Sequence, residues 1–142
     1  MPGGAWLALG GVASLIASAV HLAAIAGGAP WYRFLGAGEG MARAAERGGW
    51  RPALVTAAIA GVLAVWGLYA LSGAGLIGRM PLLRPALAAI TAAYLLRGLV
   101  LFFPSALRRP DLGQAFLLWS SLIVLAIGMV HAVGLWRAWR FL

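Results

Sequence analysis

The stretch LGQAFLLWSSLIVLAIGMVHAVGL, residues 112–135, carries no Asp, Glu, Lys or Arg and is long enough to cross a bilayer. A helix of about 20 apolar residues spans the ~30 Å hydrocarbon core of a membrane. Three similar segments precede it, at residues 5–26, 52–71 and 82–103. Because lipid offers the backbone no hydrogen-bond partner, such segments are expected to be helical. The pattern predicts an all-α membrane protein, a bundle of four transmembrane helices.

Composition supports this class and limits the size of the protein. The chain is 63% hydrophobic and 10% charged, whereas soluble domains are about 45–50% apolar and about 25% charged. A length of 142 residues allows one bundle, so we expect residues 1–142 to form a single domain with a long connection at 27–51. There is no cysteine, which excludes disulfides and thiolate metal sites.

The net charge of +8 indicates which partners to expect. All the basic residues are arginines, and most of them flank the apolar segments, where basic side chains anchor helices and meet anionic lipid headgroups. We therefore expect the lipid bilayer, and not nucleic acid, as the partner of this charge. Arginine without lysine, together with abundant Ala and Gly, favours a GC-rich bacterial source and thus the bacterial inner membrane.

The distribution of arginines between the two ends of the bundle predicts its orientation. Four spans place both termini at one end, here called end A, and the connection 27–51 at the other, end B. End A carries Arg79, Arg84, Arg137 and Arg140. End B carries Arg33, Arg43, Arg47, Arg51, Arg108 and Arg109. The positive-inside rule then predicts a cytoplasmic end B with both termini outside.

One arginine lies inside an apolar segment. Arg97 is about 10 Å from Pro104 at ~1.5 Å per helical residue, and a helical side chain leans toward its own N-terminus, here deeper into the bilayer. An unpaired arginine near the bilayer centre costs about 2.5–3.5 kcal/mol on insertion scales. We therefore expect Arg97 to have an acceptor.

Several polar residues are predicted to share the end-B half of the membrane with Arg97 or to lie near the middle, among them Ser120 and Ser121 of the fourth segment. The predicted ligand-binding set is Arg97, His21, Glu39, Tyr94, Thr56 and Gln114. A structural role is the alternative: Arg97 can bond to Glu39, to a helix-end carbonyl or to a lipid phosphate and thereby fix the connection. The two histidines are predicted in opposite halves, and Asp111 is better explained as a helix cap. We therefore predict no catalytic residues, no metal site and no cofactor.

Small residues at helical spacing predict where helices pack closely. The first segment has such a stripe at Gly10, Ser14, Ser18 and His21. Later segments have them at Ala57, Gly61 and Ala64 and at Gly128 and Ala132. These faces pack helices within one bundle or between protomers, so a homo-oligomer or a membrane partner helix is a possible assembly.

The motifs at 120–131 (SSLIVLAIGMVH), 94–98 (YLLRG) and 36–43 (GAGEGMAR) resemble those of small four-helix inner-membrane proteins of bacteria. The resemblance covers most of the chain. It implies a location, and no activity is assigned to that group.

Three functions are compatible with these residues. The first is a non-enzymatic protein that binds a lipid, a quinone-like molecule or a partner helix, with Arg97 as the anionic or carbonyl anchor. The second is a small transporter or channel subunit, which titratable groups in both membrane halves would serve. The third is a membrane-embedded enzyme acting on a lipidic substrate, with His21 as base. No motif here is specific for catalysis, so the balance is against an enzyme.

Overall fold

The computed structural model describes residues 2–103 and 114–142, and this part of the chain is helical without β-strands. The helices are α1 (Gly4–Gly27), α2 (Ala29–Phe34), α3 (Glu39–Glu46), α4 (Arg51–Gly73), α5 (Leu83–Leu99) and α6 (Gln114–Ala138). A 3-10 turn, Val100–Phe102, extends α5. The predicted cap Asp111 and the first residues of segment 112–135 lie outside the described residues.

Four of these helices are long and apolar enough to cross a membrane, namely α1, α4, α5 with its 3-10 turn, and α6. The predicted fold class is therefore confirmed, and the chain is a multi-pass, all-helical membrane protein. Large apolar side chains point outward along the spans, including Ile16, Leu96 and Ile123, which are 60%, 68% and 59% exposed. In lipid such an exterior is stable, since the solvent of the outer surface is itself apolar.

The helix ends follow local chemistry. Gly28 ends α1 with φ 65° and donates its N–H to Ala24 O at 3.1 Å; a positive φ of this kind favours glycine. Helix α4 continues past the predicted end at residue 71, because the Ser72 hydroxyl ties the following turn back to the helix. Ser72 Oγ donates to Gly78 O and accepts the Met80 N–H, both at 2.9 Å.

The spans form a ring in the order α1, α4, α5, α6, with the most extensive contacts between α1 and α4 and between α5 and α6. Glycines allow the close approaches. A Cβ at Gly11 would lie 2.9 Å from Gly67 O, and one at Gly98 would lie 2.6 Å from Leu125 Cα. By contrast, Gly61 of the predicted packing face has no atom within 4 Å of its Cβ position and faces outward.

The two ends of the bundle have different cores. At end A all four spans contribute to one apolar cluster, built from Leu7, Ala70, Leu83, Leu87, Ala138 and Leu142. At end B the buried cluster consists of Ala24, Ala29, Tyr32 and Ala42, which come from α1, α2 and α3. The connection also reaches α6, where the Phe116 ring lies against Gly36. The end-B half is thus covered by the folded connection, which contacts α1 and α6.

Candidate functional site

Arg97 is held on α5 by two hydroxyl groups of α6. Its Nη1 donates to Ser121 Oγ at 2.9 Å and its Nη2 donates to Ser120 Oγ at 3.3 Å. At about 1.5 Å per residue, Arg97 lies about 9 Å from Phe103 and Ser120 lies about 9 Å from Gln114. Both helices therefore place the guanidinium inside the apolar span.

Close packing of α5 against α6 brings these groups together. Gly98 lies against the backbone of Leu125, and a Cβ at Gly128 would lie 3.0 Å from Leu95 N. Ser121 is fully buried, whereas Ser120 is half-buried and Arg97 is exposed. The guanidinium therefore lies at the boundary between the interior of the bundle and its lipid-facing surface.

The connection covers this region from end B. Phe116 and Ser120 are one turn apart and so share a face of α6, and Gly36 of the connection lies against the Phe116 ring. Gly36 has φ 66°, a conformation that favours glycine. A side chain at position 36 would collide with Phe116. Glycine therefore allows the connection to pack against α6 one helical turn from Ser120, which bonds to Arg97.

Glu39 is hydrogen-bonded to Arg33 and Arg43 and not to Arg97. Arg33 Nε and Nη2 donate to its two carboxylate oxygens, each at 3.0 Å, and Arg43 Nε donates to Oε1 at 3.1 Å. Arg33 Nη1 also donates to Glu46 Oε1 at 2.7 Å. These contacts form one network that joins α2 to α3.

The network shifts the pKa values of its members. The hydrogen bonds from Arg33 and then Arg43 lower the pKa of Glu39 to about 2. The hydrogen bond from Arg33 also lowers the pKa of Glu46, and the two carboxylates raise the pKa of Arg33. Both described carboxylates are thus charged and paired within the connection at neutral pH.

Tyr94 lies in the interior, not at the Arg97 site. Ser14 Oγ donates to Gly10 O at 2.9 Å, so the 2.8 Å bond between Ser14 and Tyr94 is donated by the Tyr94 hydroxyl. The Tyr94 ring meets Trp66 edge-on with centroids 5.0 Å apart. Tyr94 therefore ties α5 to α1 and α4 near the middle of the bundle.

His131 completes this interior cluster. Its ring centroid is 5.1 Å from that of Tyr94, and a Cβ at Gly10 would lie 2.6 Å from its Cε1. His131 Nδ1 bonds to Ile127 O at 2.9 Å, which makes Nδ1 the donor because a carbonyl only accepts. Nε2 is buried without a hydrogen-bond partner in the described part of the chain.

The other predicted site residues are dispersed. His21 Nδ1 bonds to Ala17 O at 2.7 Å on its own helix, Thr56 is buried on α4, and Gln114 is exposed at the start of α6. Within residues 2–103 and 114–142, no hydrogen bond joins two of the six predicted residues. The described residues also contain no group of three His, Cys, Asp or Glu side chains that would hold a metal ion.

Three features of the site did not follow from the sequence. Arg33 as the partner of both glutamates depends on the fold of the connection, and the Tyr94–Ser14 bond depends on helix rotation. The end-A contact of Arg84 with Trp139, 5.9 Å from guanidinium carbon to ring centroid, joins the ends of different helices. The sequence did hold one sign that His131 is buried in the bundle: a large buried side chain requires a small neighbour, and Gly10 is that neighbour.

Comparisons of the chain with protein-family models, with curated proteins and with solved structures gave no significant match.

Proposed function

We propose that this protein is a non-enzymatic membrane protein that binds an amphiphilic ligand through Arg97, in the end-B half of the bilayer. The observation that carries the proposal is that Arg97, a cation inside a span, is hydrogen-bonded to uncharged hydroxyl groups among the described residues. Arg97 bonds to two serine hydroxyls, while both described glutamates are bonded to Arg33 and Arg43. A charge at this depth is costly, and such residues commonly mark binding sites.

The geometry of the two serines suits a positioning role. A guanidinium has five N–H donors in a planar fork, and Ser120 and Ser121 hold two of them on one side. A planar guanidinium binds phosphate or carboxylate oxygens in pairs. We therefore assign the remaining donors to an anionic or carbonyl group of the ligand, and to Ser120 and Ser121 the role of orienting Arg97.

The surroundings of Arg97 favour an amphiphile over a soluble anion. Leu96 and Trp119, next to Arg97 and Ser120 in sequence, are each 68% exposed on the lipid-facing surface. A ligand whose polar head binds Arg97 could thus lay an apolar tail along the outer surfaces of α5 and α6. A lipid phosphate fits this best; a quinone-like carbonyl and a carboxylate on a partner helix are the other occupants.

We place the protein in the bacterial inner membrane with end B in the cytoplasm. The support is the excess of arginines at end B and the connection that they stabilise, since cytoplasmic connections are enriched in Arg. The ligand would then come from the cytoplasmic leaflet.

Native mass spectrometry after release from mild detergent tests this function. We expect wild type to retain a non-protein mass that Arg97→Leu loses and Arg97→Lys retains in part, because lysine keeps the charge without the fork. Arg51→Gln is the matched control, since it removes one end-B charge at the start of α4. Ser120→Ala combined with Ser121→Ala should weaken retention without abolishing it.

The mass identifies the ligand class, and identical spectra for wild type and Arg97→Leu would overturn the proposal. Asp111 is the third acidic side chain of the chain. If Asp111→Asn then also mimics Arg97→Leu in thermal unfolding, Arg97 is a structural ion-pair partner.

A further inference from the structure

Two adjacent hollows lie at end A, at the opposite end from Arg97. A groove of about 480 Å³ between α5 and α6 is lined by Thr91, Ala132, Leu135, Trp136, Trp139 and Arg140. A second hollow of about 540 Å³ is formed by residues 79–85 and includes Arg79 and Arg84. The first is mainly apolar and aromatic, and the second is a basic turn.

Arg84 connects the hollows. It lines the basic turn, and its guanidinium carbon lies 5.9 Å from the centre of the Trp139 ring, which lines the groove. A cation above an indole face is held by the ring quadrupole and keeps N–H donors free for a third group. Arg140 borders the same groove. Two arginines are thus associated with this groove, Arg140 as a lining residue and Arg84 through the Trp139 ring.

The charged side chains at this end are all of one sign in the part of the chain that the structure describes. Arg79, Arg84, Arg137 and Arg140 lie here, whereas the described glutamates, Glu39 and Glu46, are in the end-B connection. Basic pockets between transmembrane helices suit anionic lipid headgroups. Tryptophan is also enriched at headgroup level, and Trp136 and Trp139 lie at the end-A terminus of α6.

We propose that end A holds one anionic phospholipid, with its phosphate at Arg84 and Arg140 and one acyl chain in the groove. From Arg140 to Ala132 the groove is about 12 Å long at ~1.5 Å per residue, close to half of the ~30 Å hydrocarbon core. Thr91 marks its inner end, and the Thr91 hydroxyl is occupied by Leu87 O at 2.7 Å. The inner end is therefore apolar in character, as an acyl chain requires. This site does not depend on Arg97.

Lipid titration followed by native mass spectrometry tests this site. The probes are phosphatidylglycerol and phosphatidylcholine with the same acyl chains, added to delipidated protein. Wild type should retain phosphatidylglycerol preferentially, and Arg84→Gln and Arg140→Gln should each weaken that retention about fivefold. The control is Arg137→Gln, which removes an end-A charge whose residue packs through its Cβ against Gly3, just before α1, and lines neither hollow. It should retain phosphatidylglycerol like wild type.

Quenching by bromine-labelled lipid provides a second readout. Brominated phosphatidylglycerol should quench tryptophan fluorescence more than brominated phosphatidylcholine, and Trp139→Phe should reduce that difference. Two results would overturn the site: no preference for phosphatidylglycerol, or an equal loss in Arg137→Gln, which would indicate general surface attraction. Arg97→Leu should leave the preference unchanged, so failure here is distinguishable from failure of the Arg97 site.

Discussion

The end-A and end-B halves of this bundle are held together by different means. In the end-A half, glycines let four helices touch around Leu7 and His131, and the contacts are steric. In the end-B half, side-chain hydrogen bonds also join the helices, such as Ser18 to Ala60 O at 2.7 Å and Arg97 to Ser121, beside the close packing at Gly98. Under the proposed function this is a division of labour: end A maintains the fold, and end B carries the intramembrane charge that would bind the proposed ligand.

The largest loss of unfolding free energy is expected at the close contact between Gly10 and His131 in the end-A half. Gly10→Ala places a Cβ 2.6 Å from His131 Cε1, and His131 is fully buried. Overpacking of this kind typically costs about 1–3 kcal/mol. The free energy of unfolding in mixed micelles, measured by denaturing-detergent titration, should fall by that amount.

Gly61→Ala is the matched control for this substitution. The Cβ position of Gly61 has no atom within 4 Å, so the change should stay within about 0.5 kcal/mol, as for surface sites. Because Gly→Ala by itself favours the helical backbone, equal destabilisation by both substitutions would mean that contact with His131 does not determine the cost.

A smaller effect is expected where the halves meet. Tyr94→Phe removes the hydroxyl that donates to Ser14 across the bundle. Hydrogen bonds between membrane helices contribute about 0.6 kcal/mol on average in double-mutant cycles. A cycle with Ser14→Ala should give a coupling energy of that size, and a coupling energy near zero would show that the bond does not join the halves.

Acid should loosen the end-B connection before it affects end A. Glu39 has its pKa lowered from 4.5 to about 2 by Arg33 and Arg43. A lowered pKa means that the pairing stabilises fully above pH 4.5 and is lost as pH falls toward 2. Hydrogen exchange of α3 amides, corrected for intrinsic rates, should accelerate across that range while exchange in α4 stays slow.

The control for the acid effect is Glu39→Gln. This variant should show faster α3 exchange at neutral pH and a weaker pH dependence. Because the network is exposed, high salt should reduce the difference between variant and wild type. A wild-type α3 that exchanges slowly down to pH 2 would contradict a stabilising role for the network.

The spans were predictable from sequence, as was the nearness of Ser120 and Ser121 to the half that holds Arg97, but the hydrogen-bonded pairs were not. Length and apolarity are properties of each segment alone, so the described ends of the four helices lie within a few residues of the predicted ones. Which face turns inward depends on the neighbours: Gly61 and Gly67 look alike in sequence, but Gly67 lies against Gly11 and Gly61 faces outward. The acceptor of Arg97 depends on neighbours in the same way. Glu39 was predicted to lie near Arg97, but the turn between α2 and α3 brings Glu39 to Arg33 instead.

The division of labour is tested most directly by the unfolding free energy of delipidated Arg97→Leu beside wild type. Losing two hydroxyl bonds of about 0.6 kcal/mol each is offset by removing a charge that costs about 2.5–3.5 kcal/mol near the bilayer centre. We therefore predict that the variant is at least as stable as wild type while ligand retention is lost. A variant as unstable as Gly10→Ala would contradict this, because Arg97 would then be part of what holds the fold.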